Sequence, residues 1–83
     1  MRYTVVWAPQ ALGHLANLWR HAPDKQAVTD ASDNMEIALR DDPDLKVKAF
    51  GKRFTYEHQP LRWLLEIHPL DRIVRILTVR RVP

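Results

Sequence analysis

The hydrophobic period of this chain switches once, and the switch restricts it to a fold that joins helices to a sheet. Up to Arg40 the apolar residues recur three and four positions apart, as on a helix, and beyond Lys52 they alternate, as on a strand. Ala8, Leu12, Leu15, Ala16 and Trp19 form one helical stripe, and Ala27, Val28, Ala31, Met35, Ala38 and Leu39 form another. Pro9 opens the first helix, where its missing N–H costs nothing. Gly13 weakens that helix, and Pro23 ends it or opens the next. Asp24 is the predicted N-cap of a second helix running to about Arg40, and Pro43 stops it because the residue before a proline avoids the α region. The connection is short, so the two helices form an antiparallel hairpin. Ahead of them, the β-branched and aromatic run Tyr3–Trp7 predicts a strand.

The alternating half divides at its turns. Strands are predicted over Lys52–His58, Leu61–His68 and Arg72–Arg81, separated by Gln59-Pro60 and Pro69-Leu70-Asp71. Phe54 and Tyr56 share one face of their strand. Leu61, Trp63, Leu65 and Ile67 share a face of the next, opposite Arg62, Leu64, Glu66 and His68. The expected fold is α+β, in the order β-α-α-β-β-β, with the helical hairpin packed on one face of a small antiparallel sheet. At 83 residues the chain has room for one domain, taken as 1–83. The other sheet face is left open and should carry Arg62. Arg75 is placed there too, because a buried unpaired charge is costly, and so is Arg81, its period-2 partner. Trp7, Trp19 and Trp63 each fall in an apolar stripe and are expected in the core.

Charge is distributed unevenly. Residues 1–45 carry four basic against seven acidic side chains, and residues 46–83 carry nine basic against three acidic, so the positive field belongs to the strands. An anionic partner is drawn to that half. Cysteine is absent, which excludes disulfide scaffolds, thiolate metal sites and cysteine nucleophiles. His14, His21, His58 and His68 lack metal-ligand spacing, and no phosphate-cradling glycine loop occurs, so neither metal nor cofactor is expected. The N-terminal apolar run is too short for a signal peptide, and no stretch reaches the roughly 20 apolar residues that span a bilayer. A cytoplasmic protein without membrane contact is expected.

Several of these segments resemble one known family. The opening Tyr3-Thr4-Val5-Val6-Trp7-Ala8-Pro9-Gln10-Ala11, followed by Leu12 and Leu15, resembles the start of RelE/ParE-superfamily toxins. So does Ala38-Leu39-Arg40-Asp41-Asp42-Pro43 at the end of the second helix. Pro60–Ile67 resembles their strand that begins with an arginine and continues in apolar residues, and Asp71–Arg81 resembles their basic last strand. The likeness covers nearly the whole chain with its elements in order. It implies the toxin of a type II toxin–antitoxin pair, held by a cognate antitoxin in a hetero-oligomer. It also implies growth inhibition by one of two routes: ribosome-dependent mRNA cleavage, as in RelE-like members, or poisoning of DNA gyrase, as in ParE-like members.

The residues speak to the first route in part. Metal-free RNA cleavage needs a base for the attacking 2′-hydroxyl, cations for the phosphorane-like charge, and an acid for the leaving oxygen. Arg62 with Arg81, or its neighbour Arg80, suits the cationic role and resembles the paired arginines of RelE-like nucleases. Lys48, Lys52, Arg53 and Arg75 are candidates for holding the RNA backbone. RelE-like nucleases commonly carry a Tyr or His shortly after the last arginine, but here only Val82 and Pro83 follow Arg81. Tyr56, His58 and His68 are the remaining acid–base candidates, so whether the chain is an endoribonuclease stays open at this point. Two other readings stand beside the toxin: a nucleic-acid-binding module without catalysis, and a degenerate family member serving as a partner protein. The antitoxin is expected to lay an amphipathic helix or strand over the helical hairpin or a sheet edge.

Overall fold

A computed structural model describes residues 2–82, with the side chain of Leu45 left aside; Met1 and Pro83 lie outside the described residues. The element order is β1 (Thr4–Trp7), α1 (Pro9–His21), α2 (Lys25–Asp41), a 3₁₀ turn (Pro43–Leu45), β2 (Lys48–Phe50), β3 (Arg53–His58), β4 (Leu61–His68) and β5 (Ile73–Arg81). The expected α+β layout is present, with two differences. A fourth strand follows the helices, making the order β-α-α-β-β-β-β, and the sheet is mixed rather than wholly antiparallel. Its spatial order is β1-β5-β4-β3-β2, with β1 parallel to β5 and every other pair antiparallel. The helical hairpin supplies the crossover that a parallel pair requires.

β2 escapes a periodicity reading because it is only three residues long, too short to alternate. Its partner is set by the turn after it. Gly51 sits at φ +63° and Lys52 does not have positive φ, the pattern of a two-residue II′ hairpin turn. This turn pairs Phe50 with Arg53 and Lys48 with Thr55. β5 begins one residue later than expected, since Arg72 takes a left-handed conformation at φ +52° in the preceding turn.

Asp24 caps α2 as expected, its carboxylate accepting the Ala27 N–H at 3.0 Å. Val28, Ala31, Met35 and Leu39 of the α2 stripe are buried in one core with Leu61, Trp63 and Leu65 of β4 and Val74, Ile76 and Val79 of β5. Each large apolar side chain removed from water in this way stabilises the fold by about 1.5–3 kcal/mol. Trp63 is fully buried and meets Trp7 edge-to-face, with ring centroids 4.9 Å apart. Its Nε1–H is buried without a hydrogen-bond partner. Trp7 directs its own Nε1–H to Glu36 at 3.1 Å, tying β1 to α2.

The α1 stripe is corrected by the structure. Ala8, Ala11 and Ala22 are buried and Leu15 and Leu18 pack against the core, whereas Leu12 and Trp19 are exposed. The small alanines let α1 approach β5 closely. The bulky residues of the predicted stripe instead flank an open groove between α1 and α2, so Trp19 is a surface residue and not part of the core.

Candidate nucleic-acid interface

Strand register decides which side chains reach the uncovered face of the sheet. On β4, Leu61, Trp63 and Leu65 are buried beneath the helices, so Arg62, Leu64, Glu66 and His68 point the other way. On β3 the same parity sends Phe54, Tyr56 and His58 to the helix side and Arg53, Thr55 and Glu57 to the open side. β2 adds Lys48 opposite Thr55 and Phe50 opposite Arg53.

β5 does not keep its alternation. Leu65 pairs with Ile76 but Leu64 pairs with Thr78, leaving Leu77 as a bulge residue. One inserted residue inverts the faces of everything beyond it. Arg75, opposite Glu66, is on the open face as expected. Arg81, opposite buried Leu61, is on the helix side, where it lines a small cleft with Ala22, Pro23 and Asp24. The expectation that Arg75 and Arg81 share a face is therefore corrected. Arg80 stands on the open face, directly across from Arg62.

These two arginines form the centre of the site. Like charges placed opposite each other across strands are destabilising, so the pair invites an anion between its guanidinium groups. Glu57 offsets one of them: Arg62 Nε and Nη2 both donate to Glu57 Oε1, at 3.0 and 2.7 Å. Both side chains are about half exposed (54% and 48%), so the ion pair contributes at most about 1 kcal/mol and yields readily to a phosphate. Among the described residues, no carboxylate lies within ion-pair distance of Arg80.

Two depressions of about 490 and 300 Å³ adjoin this pair. The first is lined by Lys46, Lys48, Phe50, Thr55, Glu57 and Arg62, and the second by Phe50, Thr55, Arg62, Leu64, Thr78 and Arg80. A third, beyond Phe50, holds Lys52, Arg53 and Glu66. Lys48, Lys52, Arg53 and Arg75 thus share the open face or its rim with the arginine pair.

The histidines do not join them. His68 faces the open side but lies six residues from Arg62 along β4, about 20 Å at strand rise, and its Nε2 contacts Glu66 Oε1 at 3.5 Å. Glu66 also meets Arg53, at 3.9 Å. His58 is on the helix-side register at the end of β3, its Nδ1 3.1 Å from the Gln59 carbonyl oxygen. Tyr56 packs against the core, where burial raises its phenol above the ordinary value. Sequence reasoning missed Lys46, Phe50, Thr55, Glu57 and Thr78. The parity that placed Phe54 and Tyr56 inward already implied Thr55 and Glu57 outward. Phe50 carried no such signal, since its strand was not legible.

Solved structures share this architecture. The RelBE2 toxin–antitoxin complex of Mycobacterium tuberculosis contains a chain that superposes with a TM-score of 0.83 at 21% identity, over 98% of this chain and 99% of that one. The chain has the RelE/ParE toxin fold. The chromosomal ParDE system of Pseudomonas aeruginosa matches at TM-score 0.71 and 13% identity, over 99% and 98% of the two chains. Isolated Escherichia coli RelE matches at 0.66 and 13%, over 98% of this chain and 85% of that one. No protein-family model matches the sequence, and no curated protein does. At such identities the likeness is one of fold. Among the described residues there is no group of three metal-ligating side chains, and no helix is long and apolar enough to cross a membrane.

Proposed function

We propose that this protein is the toxin of a type II toxin–antitoxin pair, that it acts in the cytoplasm, and that it cleaves mRNA bound to the ribosome on the open sheet face. The observation that carries the reading is the Arg62–Arg80 pair, two cations opposed across strands on an uncovered basic surface with Glu57 beside them. The arginines hold the scissile phosphate and stabilise the charge that builds on it. Glu57, the one carboxylate at this pair among the described residues, accepts the proton of the 2′-hydroxyl as that oxygen attacks phosphorus. The bond to the 5′-oxygen breaks, leaving a 2′,3′-cyclic phosphate, and an ammonium of Lys46 or Lys48 in the same depression protonates the leaving oxygen. Lys52, Arg53 and Arg75 hold flanking backbone. This assignment replaces the histidines considered from sequence with a carboxylate–lysine set.

The partner is a cognate antitoxin, whose amphipathic segment takes the apolar groove between α1 and α2. Solved neighbours of this fold are toxin–antitoxin complexes, and the groove exposes Leu12 and Trp19. The test is induced expression in a bacterial host, with translation and DNA supercoiling followed in the same cultures. A rapid fall in translation with cleaved mRNA supports the reading. A supercoiling defect with translation intact replaces it with gyrase poisoning, and unaffected growth at high soluble yield removes the toxin role.

A further inference from the structure

We propose that Phe50 is a stacking platform for a nucleobase, so that the open face binds single-stranded RNA through one unstacked base as well as through its phosphates. The inference rests on the mRNA-cleaving reading and adds the positioning element that it lacks. Phe50 is 66% exposed and is the large exposed hydrophobic residue of the open face; Leu12, Trp19, Ile37 and Leu70 lie on the helices or at a turn. It is shared by all three depressions of that face, with Arg62 and Arg80 on one side and Lys52 and Arg53 on the other. An aromatic ring set among cations matches a strand of alternating flat bases and anionic phosphates. An apolar protein segment would leave those cations desolvated and unpaired.

The backbone holds the ring in place. Phe50 sits at the end of β2, fixed by the Gly51 turn, and its register partner is Arg53. β2 is two strands from β4 and three from β5, and the register sets Phe50 four residues along from Arg62, so its backbone lies about 16 Å from that of Arg62 and about 20 Å from that of Arg80 by strand spacing and rise. Extended arginine side chains and the ring reach into that interval. A base stacked on Phe50 then belongs to a nucleotide within one or two of the phosphate held by Arg62 and Arg80, since Phe50 lines the same depressions as both arginines, and this sets the register of cleavage. Stacking on a ring face tolerates any base and favours larger ones, so purines are preferred at this position.

The experiment is binding of short 2′-O-methyl oligoribonucleotides, which cannot be cleaved, followed by fluorescence anisotropy with the intact chain. A second oligonucleotide of the same length carries abasic sites, and Phe50→Leu and Phe50→Trp variants are compared after circular dichroism confirms folding. Stacking predicts that Phe50→Leu and the abasic strand each weaken binding by about 5- to 100-fold. Phe50→Trp retains affinity, and its emission is quenched by the base-bearing strand only. Equal binding of both strands by the unmodified protein, with no effect of Phe50→Leu, overturns stacking and leaves phosphate-directed binding in place. No binding of either strand at low salt overturns the nucleic-acid reading with it. Loss of antitoxin binding in Phe50→Leu with oligonucleotide affinity unchanged makes Phe50 a protein contact instead.

Discussion

Arg62, Arg80 and Arg81 show how much one residue of register is worth. Arg80 and Arg81 are adjacent in the chain, yet the first faces the proposed RNA and the second faces the α1–α2 connection. Alanine at Arg62 or Arg80 should lower single-turnover cleavage of ribosome-bound mRNA by about 10²–10³-fold, the usual cost of removing a donor aimed at transition-state charge. Arg81→Ala should cleave at close to the wild-type rate; equal losses at Arg80 and Arg81 would move the site. Tyr56 supports a prediction about pH. Burial pushes its phenol above 10.0, so the folded chain binds that proton more tightly than the unfolded chain does. Its contribution to stability is therefore complete below about pH 10 and falls as pH rises through the folded value. Urea melts between about pH 9 and about pH 11 should show this decline, and Tyr56→Phe should reduce it.

The elements that shape the site are small. β2 is a three-residue edge strand bearing Lys48, a short charged edge of the kind that resists pairing with other chains. Its position depends on Gly51. An added Cβ there would meet no atom within 4 Å, so the cost of Gly51→Ala is conformational: φ +63° is disfavoured for an L side chain by about 1–2 kcal/mol. Gly13 offers the opposite case. It lies inside α1 with equally open surroundings, so Gly13→Ala should stabilise by about 0.5–1 kcal/mol. Denaturant midpoints of the two variants should shift in opposite directions. The Leu77 bulge is the other decisive element, since it carries Arg80 to the face of Arg62 while leaving Val79 in the core.

At the scale of the whole molecule, two surfaces lie back to back across one core. The open sheet face presents the arginine pair, and the outer side of the helical hairpin presents a groove of about 470 Å³ with Leu12 and Trp19 exposed at 53% and 45%. Lys25 lies over the Trp19 ring at 5.5 Å, covering part of an indole that is otherwise open to solvent. Because the core separates these surfaces, their losses should separate too. If the proposed antitoxin takes this groove, Trp19→Ala should weaken its capture by about 30-fold or more, the effect of a central aromatic anchor, while the proposed growth arrest persists. Arg62→Ala should do the reverse. Pull-down and growth assays on the same variants measure both, and loss of toxicity in Trp19→Ala would contradict this division.

The period switch, the prolines and Asp24 made the helical hairpin, the three longer strands and the uncovered sheet face legible from the sequence, because each is a local pattern acting within a few residues. The outward direction of Arg62 followed from alternation, and that of Arg75 from the cost of burying an unpaired charge. The parallel seating of β1 on β5, the short β2 and the exposure of Trp19 did not, since they depend on partners distant in the chain. The site was legible only in half. Arg80 displaced Arg81 because a single bulge inverted the parity. Glu57 and Phe50 joined the arginines only when register brought β2, β3 and β4 side by side. Alternation tells which residues share a face within a strand; which strands share a site is decided by long-range pairing.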